Sequence, residues 1–158
     1  MKYAFLLFGF IMTSSSIKSQ DFITSEDDIL KQRIIKSINR EVGVAVQKII
    51  NKDSNTHKYE IALFVNKMII LEHEFLSHSN YIVFEDKTSI IIKEQVEMNF
   101  YSEGKNNIYV IHELSTYELK LLQTKKIDYF KVSGFKISPD KWQKEKIIKT
   151  FEEIVSKN

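Results

Sequence analysis

Short runs of alternating apolar and polar residues, joined by short polar turns, most restrict the fold of this chain. The alternation is clear in 42–46, 59–65 and 95–101. It predicts strands with one solvated face, and the polar stretch 51–57 predicts a hairpin turn. Connections this short join antiparallel strands, because a parallel crossover needs about a dozen residues or more. The other candidate strands are 68–76, 81–85, 88–93, 108–114 and 127–132.

An N-terminal helix is predicted over residues 25–39. Ser25 offers a side-chain cap, and acidic residues follow it, as is favourable at a helix N-terminus. Leu30, Ile34 and Ile38 recur every four residues, a spacing that places side chains on one helical face. We therefore expect this helix to precede the first strand.

Two further helices are predicted in the C-terminal half. Ser115 and Glu118 have the spacing of a capping box. The sequence from Ser138 to Asp140 places a cap, a proline and an acid at the start of a longer helix. Its lysines are expected to face water mostly, and its apolar stripe contains Trp142, Ile147, Ile148, Phe151, Ile154 and Val155.

These signals together predict an α+β fold. We expect an antiparallel β-meander of about seven or eight strands. An N-terminal helix, a short internal helix and a C-terminal amphipathic helix packed on the sheet complete it. The order of the strands is not predicted.

The start of the chain is typical of a secretory signal peptide. Lys2 gives a positive start, residues 3–12 are uncharged and mostly apolar, and a serine-rich exit follows. The run is shorter than the roughly 20 residues that cross a bilayer. We expect cleavage after Ser19, leaving one globular domain over 20–158 without a membrane span. A retained membrane anchor is the alternative.

The composition of the chain restricts the cellular compartment and the classes of partner that we expect. The chain has no cysteine, so an exported product must be stabilised by packing without disulfides. Removing Lys2 and Lys18 with the leader reduces the basic residues from 23 to 21, which equals the 21 acidic residues. A neutral chain gives little reason to expect nucleic-acid binding, which depends on positive charge. Because no glycosylation signal is present, we expect a bacterial periplasmic or secreted protein.

The C-terminal segment is basic although the whole is neutral. Residues 120–158 contain 10 basic and 5 acidic residues. One interpretation is a solvated helix face. The other is a surface for an acidic partner or an anionic lipid, with Lys141, Lys144 and Lys149 as the binding residues.

Histidines supply the candidate metal site. His73, Glu74 and His78 resemble a zinc-protease motif, but that motif needs histidines four apart on a helix, and these are five apart on a predicted strand. If their strands are neighbours, His73 and His112 can meet and bind a metal with an adjacent glutamate. Structural histidines in the sheet are the alternative.

No other motif predicts a cofactor or an enzyme. Asn51, Asp53 and Asn55 copy the first ligands of a calcium loop, but Thr56 and Ala62 stand where that loop needs glycine and glutamate. A polar turn is the preferred interpretation. A phosphate loop, a serine nucleophile elbow and a cysteine nucleophile are all missing from the sequence, which disfavours enzyme activity.

Tyrosines near the ends of predicted elements are candidate contact residues. Tyr101, Tyr109, Tyr117 and Tyr129 occupy such positions. Tyrosine combines apolar area with a polar tip, so these residues either border the core or form a binding surface. Tyr101 and Tyr109 are the predicted partner contacts.

Two stretches resemble those of small exported bacterial proteins of unknown function. The first runs from Ile82 to Thr88, a strand that enters an acidic turn. The second runs from Glu113 to Leu119 and continues through Leu122 into 126–132, a capped helix followed by a strand. The resemblance implies export and an α+β fold, and it implies no catalytic residues.

Three functional hypotheses follow. The first is a non-enzymatic binding or interaction module of the periplasm or cell exterior, with a protein or envelope partner. The second is a small envelope hydrolase or metal-dependent enzyme that uses His73 and His112. The third is an inhibitor or immunity-type protein. The sequence predicts neither the partner nor the oligomeric state.

Overall fold

The computed structural model describes residues 22–39, 41–67, 79–100 and 106–157. The predicted leader and the predicted strand 68–76 lie outside these ranges. Within them the chain forms ten strands and two helices. The strands are β1 (Ile23–Asp27), β2 (Gln32–Asn39), β3 (Val44–Asn51), β4 (His57–Lys67), β5 (Asn80–Phe84), β6 (Ser89–Ile92), β7 (Glu97–Phe100), β8 (Asn106–Glu113), β9 (Ile127–Val132) and β10 (Phe135–Ile137). The helices are α1 (Thr116–Thr124) and α2 (Lys141–Ser156).

These strands form two antiparallel sheets. The six-stranded sheet has the order β1-β2-β3-β4-β8-β7, and the four-stranded sheet has the order β10-β9-β5-β6. The α+β class and the antiparallel pairing agree with the sequence prediction. The single meander does not, because β4 pairs with β8 and β5 pairs with β9. Two sheets can bury their apolar faces against each other, whereas the predicted single sheet would bury its apolar face against the helices.

The predicted N-terminal helix over 25–39 is wrong, because this segment forms the β1–β2 hairpin. The spacing of four that suggested a helix is an even number, so it also places Ile34 and Ile38 on one face of a strand. Leu30 lies in the turn, where its N–H donates to the Asp27 carboxylate at 2.9 Å. Pairing of β2 with strands on both sides then outweighs the local helix signal.

A glycine turn joins β2 to β3 and fixes where β3 begins. Gly43 has a φ of 77°, which glycine adopts without the steric penalty of a side chain. Its N–H donates to the Asn39 carbonyl at 3.0 Å, and its own carbonyl accepts from the Phe64 N–H at 2.8 Å. The strand therefore starts at Val44 and not at Val42.

The main core lies between the two sheets and the helices. Phe84, Phe130 and Phe151 are fully buried there, together with aliphatic residues of both sheets. Helix α2 contributes Ile147, Phe151 and Ile154 to this core, as its stripe predicts. Trp142 does not belong to the stripe, because its exposed fraction is 58%.

The start of α2 differs from the prediction by two residues. Asp140, and not Ser138, is the N-cap. Its carboxylate accepts from the Gln143 N–H at 2.8 Å, and the Gln143 side chain accepts from the Asp140 N–H at 2.8 Å. This reciprocal capping box satisfies two N–H groups at once, and it places the N-cap at Asp140.

The end of α2 is held by a lysine of the larger sheet. Lys48 on β3 donates to the Lys157 carbonyl at 2.5 Å and to the Val155 carbonyl at 3.4 Å. A cation is favourable at this end, where the helix dipole is negative. Burial, and then the charge of Arg33, lower the pKa of Lys48.

The opposite face of the larger sheet has its own small cluster. Ala45, Ala62, Phe64 and Tyr109 are buried there. Next to them, Gln47 donates to the buried carboxylate of Glu60 at 2.5 Å. None of the helices in the described ranges is long and apolar enough to cross a membrane.

Candidate binding surface

His112, one of the two predicted metal ligands, lies on β8 between two carboxylates. Its Nδ1 is 2.9 Å from Glu94 and its Nε2 is 3.1 Å from Glu118. The exposed fraction of its side chain is 12%. The ring donates to both partners only when it is doubly protonated and positively charged. This arrangement links β8 to α1 and to the segment that follows β6.

Glu118 also belongs to the predicted capping box of α1. The Ser115 hydroxyl donates to Glu118 at 2.6 Å and accepts from its N–H at 3.3 Å. Burial alone would raise the pKa of Glu118, but hydrogen bonds from Ser115 and from His112 outweigh it and lower the pKa. The serine contacts the carboxylate and not the imidazole, so this cluster lacks the contact that activates a serine nucleophile.

Glu118→Gln is expected to lower the free energy of unfolding by about 1 kcal/mol at neutral pH, because the carboxylate partner of His112 is lost. Since folding lowers the pKa of Glu118, its stabilisation is present above the usual value of 4.5 and is lost as the pH falls through the folded value. Urea unfolding as a function of pH measures this.

The matched control is Glu113→Gln, at an exposed carboxylate that pairs with Lys58. An exposed pair contributes about 0.5 kcal/mol or less. A difference between wild type and Glu118→Gln that stays constant on acidification would contradict the assignment.

The proposed pairing of His73 with His112 is not tested, because His73 lies outside the described residues. Within the described ranges, no cluster of three or more histidine, aspartate or glutamate side chains is arranged to hold a metal ion. The calcium-loop candidates Asn51, Asp53 and Asn55 lie at the end of β3 and in the turn 52–56 that joins β3 to β4. There the Asn51 side chain accepts from the N–H groups of Asp53 and Ser54 at 2.9 and 3.1 Å.

The three predicted binding lysines on α2 differ in availability. Lys141 is exposed. Lys149 pairs with Glu153 on the same helix at 3.8 Å. Lys144 does not face water as predicted, because its side chain is only 15% exposed and pairs with Glu85 at 3.0 Å.

Ion pairs tie the acidic turn between β5 and β6 to both helices. Besides the pair of Glu85 with α2, Asp86 accepts from Lys125, which follows α1, at 2.5 Å. Hydrogen bonds from Lys125 and Thr88 lower the pKa of Asp86 to about 2. The turn therefore offers little uncompensated negative charge to a partner.

The predicted tyrosine contacts are not both available. Tyr101 lies outside the described residues. Tyr109 is buried on the opposite face of the larger sheet, where its hydroxyl donates to Glu97 at 3.3 Å. The burial of Tyr109 does not support a role for this residue as a direct partner contact.

A different set of aromatic and basic side chains covers the outer face of the smaller sheet. Tyr81 and Tyr129 are half-buried and meet edge to face, with ring centroids 6.1 Å apart. Lys136 lies 4.1 Å from the ring centroid of Tyr129, and Lys131 lies 6.0 Å from that of Tyr81. We call this surface the tyrosine–lysine face, and it comprises Tyr81, Val83, Ile91, Tyr129, Lys131 and Lys136.

Strand register explains why these residues share one surface. Tyr81 is directly opposite Lys131 on one side and Ile91 on the other. Lys131 is in turn opposite Lys136. Directly opposed residues of paired strands point to the same face, so these residues form one row across all four strands.

The two lysines of the tyrosine–lysine face form no close ion pair with a described carboxylate, although the hydrogen bond from Lys87 and, to a smaller extent, the charge of Lys136 lower the pKa of Asp128. Neither Lys131 nor Lys136 forms an ion pair with a described residue, whereas Lys87, Lys125 and Lys144 all do. The nearby Asp128 is already bound to Lys87 at 3.1 Å. Half-buried tyrosines beside ammonium groups that form no close ion pair suit an acidic partner.

The sequence gives only part of the signal for this face. Tyr81 and Val83 alternate with buried residues on β5, and Tyr129 and Lys131 lie on β9. These four residues share one surface only because β5 pairs with β9, and this pairing joins segments that are far apart in the sequence.

Comparison of the chain with protein-family models, with curated proteins and with solved structures gives no match. The geometry of the face is therefore the basis for a functional assignment.

Proposed function

We propose that the protein is an exported, non-enzymatic binding module of the bacterial periplasm or cell exterior. It binds an acidic partner through the tyrosine–lysine face. The observation that supports this most directly is the pair of tyrosines with two lysines that form no ion pair with a described carboxylate. An inhibitor or immunity-type protein would use the same kind of surface, and the identity of the partner distinguishes the two.

The composition of the face suits binding. Tyrosine supplies apolar contact area and a hydroxyl at a low cost in side-chain entropy. Ile91 adds an aliphatic side chain with an exposed fraction of 64%. Lys131 and Lys136 rest against aromatic rings, so part of the cost of ordering their long side chains is met before a partner arrives.

Reversing the charge of Lys131 and Lys136 together, to glutamate, is expected to weaken binding of an acidic partner by about tenfold or more. Peptides are selected from a displayed random library on protein recovered from the periplasm, where export predicts a chain that begins at Gln20. Titration calorimetry then compares the dissociation constants of the variants. Enrichment of acidic peptides is the expected first result.

The matched control reverses two lysines of α2, Lys141→Glu with Lys149→Glu. It makes the same change in net charge at another surface, so affinity should stay within about twofold. If this control loses affinity and the face variant keeps it, the partner binds the helix lysines instead. Selection that yields no acidic peptides would contradict the proposal.

A further inference from the structure

We propose that the acidic partner is an extended polypeptide segment that pairs with β6 and becomes a fifth strand of the four-stranded sheet. This inference rests on the proposed function and adds the position and the conformation of the partner. It concerns the edge of the sheet, whereas the proposed function concerns its face.

The first support is the position of β6. Among the described strands, β6 pairs with β5 and lies at the edge of the smaller sheet. An edge strand presents backbone N–H and C=O groups that another chain can pair with. The segment after β6 is anchored to the protein, because the Asn80 side chain donates to the Glu94 carbonyl at 3.3 Å.

The second support is the direction of the backbone groups of β6. The Phe84 N–H donates to the Thr88 carbonyl at 2.9 Å, which makes these two residues a hydrogen-bonded pair. Antiparallel ladders alternate hydrogen-bonded and non-hydrogen-bonded pairs. Ile90 then directs its backbone groups toward β5, whereas Ser89 and Ile91 direct theirs toward the edge at which no described strand pairs.

The third support is the side chain that accompanies this edge. The Ile91 side chain is exposed at the outer surface, directly beside backbone groups that pair with no described strand. Exposed Lys93 follows it and adds a positive charge next to the edge. The row from Ile91 through Tyr81 and Lys131 to Lys136 is about 14 Å long at the usual strand spacing. A chain leaving the added strand can therefore cross the lysines.

The geometry favours a polypeptide over a polysaccharide. Sugar rings and bases stack on flat, accessible aromatic faces, but here the tyrosine rings meet at an interplanar angle of 74°. The lysine ammonium groups also lie over both rings. The outward backbone groups of β6, in contrast, pair with no strand in the described ranges and match the amides of an extended chain.

The experiment uses the purified full chain and a short acetylated and amidated peptide of alternating glutamate and valine. A peptide of alternating lysine and valine is the control probe. Amide hydrogen exchange is followed by NMR with each peptide. We expect the acidic peptide to slow exchange of the Ser89 and Ile91 N–H groups by about tenfold or more, and the basic peptide to leave it unchanged.

Two variants at one position separate the backbone from the side chain. Ile91→Pro removes the outward N–H at an edge position, where proline is tolerated. It should weaken binding of the acidic peptide by about tenfold, a loss of about 1.4 kcal/mol. Ile91→Thr keeps the N–H and a branched side chain, so its loss should stay within about threefold.

These experiments distinguish failure of strand addition at β6 from failure of the proposed binding through the tyrosine–lysine face. Binding of the acidic peptide that leaves Ser89 and Ile91 unprotected overturns strand addition but not the face. Protection of both amides with no effect of the Lys131 and Lys136 reversals supports the edge and overturns the face. If the acidic peptide does not bind, the proposed external strand is wrong. It is also wrong if the protein without peptide forms a dimer that Ile91→Pro dissociates, because β6 then pairs with a second copy.

Discussion

Gly43→Ala is expected to lower the free energy of unfolding by about 3 kcal/mol or more. A Cβ at this position would lie 2.2 Å from the Phe64 carbonyl oxygen, and the obstacle is backbone, which cannot rotate away. The residue also has a left-handed φ, which costs a side chain about 1 kcal/mol. Urea unfolding followed by circular dichroism measures the change.

Gly134→Ala is the control for backbone strain. Gly134 has a φ of 85° in the turn between β9 and β10, so its substitution should cost about 1 kcal/mol. The difference between the two variants then reports the close approach of Gly43 to β4. Equal costs at the two positions would show that the contact between this turn and Phe64 contributes nothing.

Phe130→Ala is expected to cost about 3–5 kcal/mol, the usual range for removing a buried phenylalanine. Phe130 has an exposed fraction of 0% in the core between the sheets. Its strand also pairs directly with β5. A cavity there removes contacts to both layers at once, and thermal and urea unfolding should both detect it.

Tyr129→Ala tests whether the neighbouring position on the outer face behaves differently. Tyr129 is half-buried on the tyrosine–lysine face, so its loss should cost about 1 kcal/mol or less. If Phe130→Ala is tolerated as well as Tyr129→Ala, the inner and outer faces of β9 have been assigned the wrong way round.

Local signals in the sequence predicted the local structure well. The capping box of Ser115 and Glu118 is present because both partners lie within one helical turn. The hairpin turn at 51–55 also depends on neighbouring residues alone. The exception is the predicted N-terminal helix. The spacing of Leu30, Ile34 and Ile38 fits a helix and a strand equally, and only the pairing of β2 with β3 decides between them.

Properties that depend on strand order could not be predicted. The burial of Tyr109 and the partial exposure of Tyr81 depend on which sheet each strand joins. Lys144 was expected in solvent, but the turn at Glu85 comes to it from 59 residues away in the chain. Of the proposed tyrosine–lysine face, the sequence identifies Tyr129 as a candidate contact residue. It does not identify Tyr81, Lys131 or Lys136.

The contact between Lys48 and the end of α2 has a consequence for how the protein folds. The ammonium and the Lys157 carbonyl are separated by 109 residues, and short helices are only marginally stable in water by themselves. The closing turn of this helix is therefore completed only once β3 is in position. Because β3 precedes α2 in the chain, a strand that is synthesised earlier completes a helix that is synthesised later.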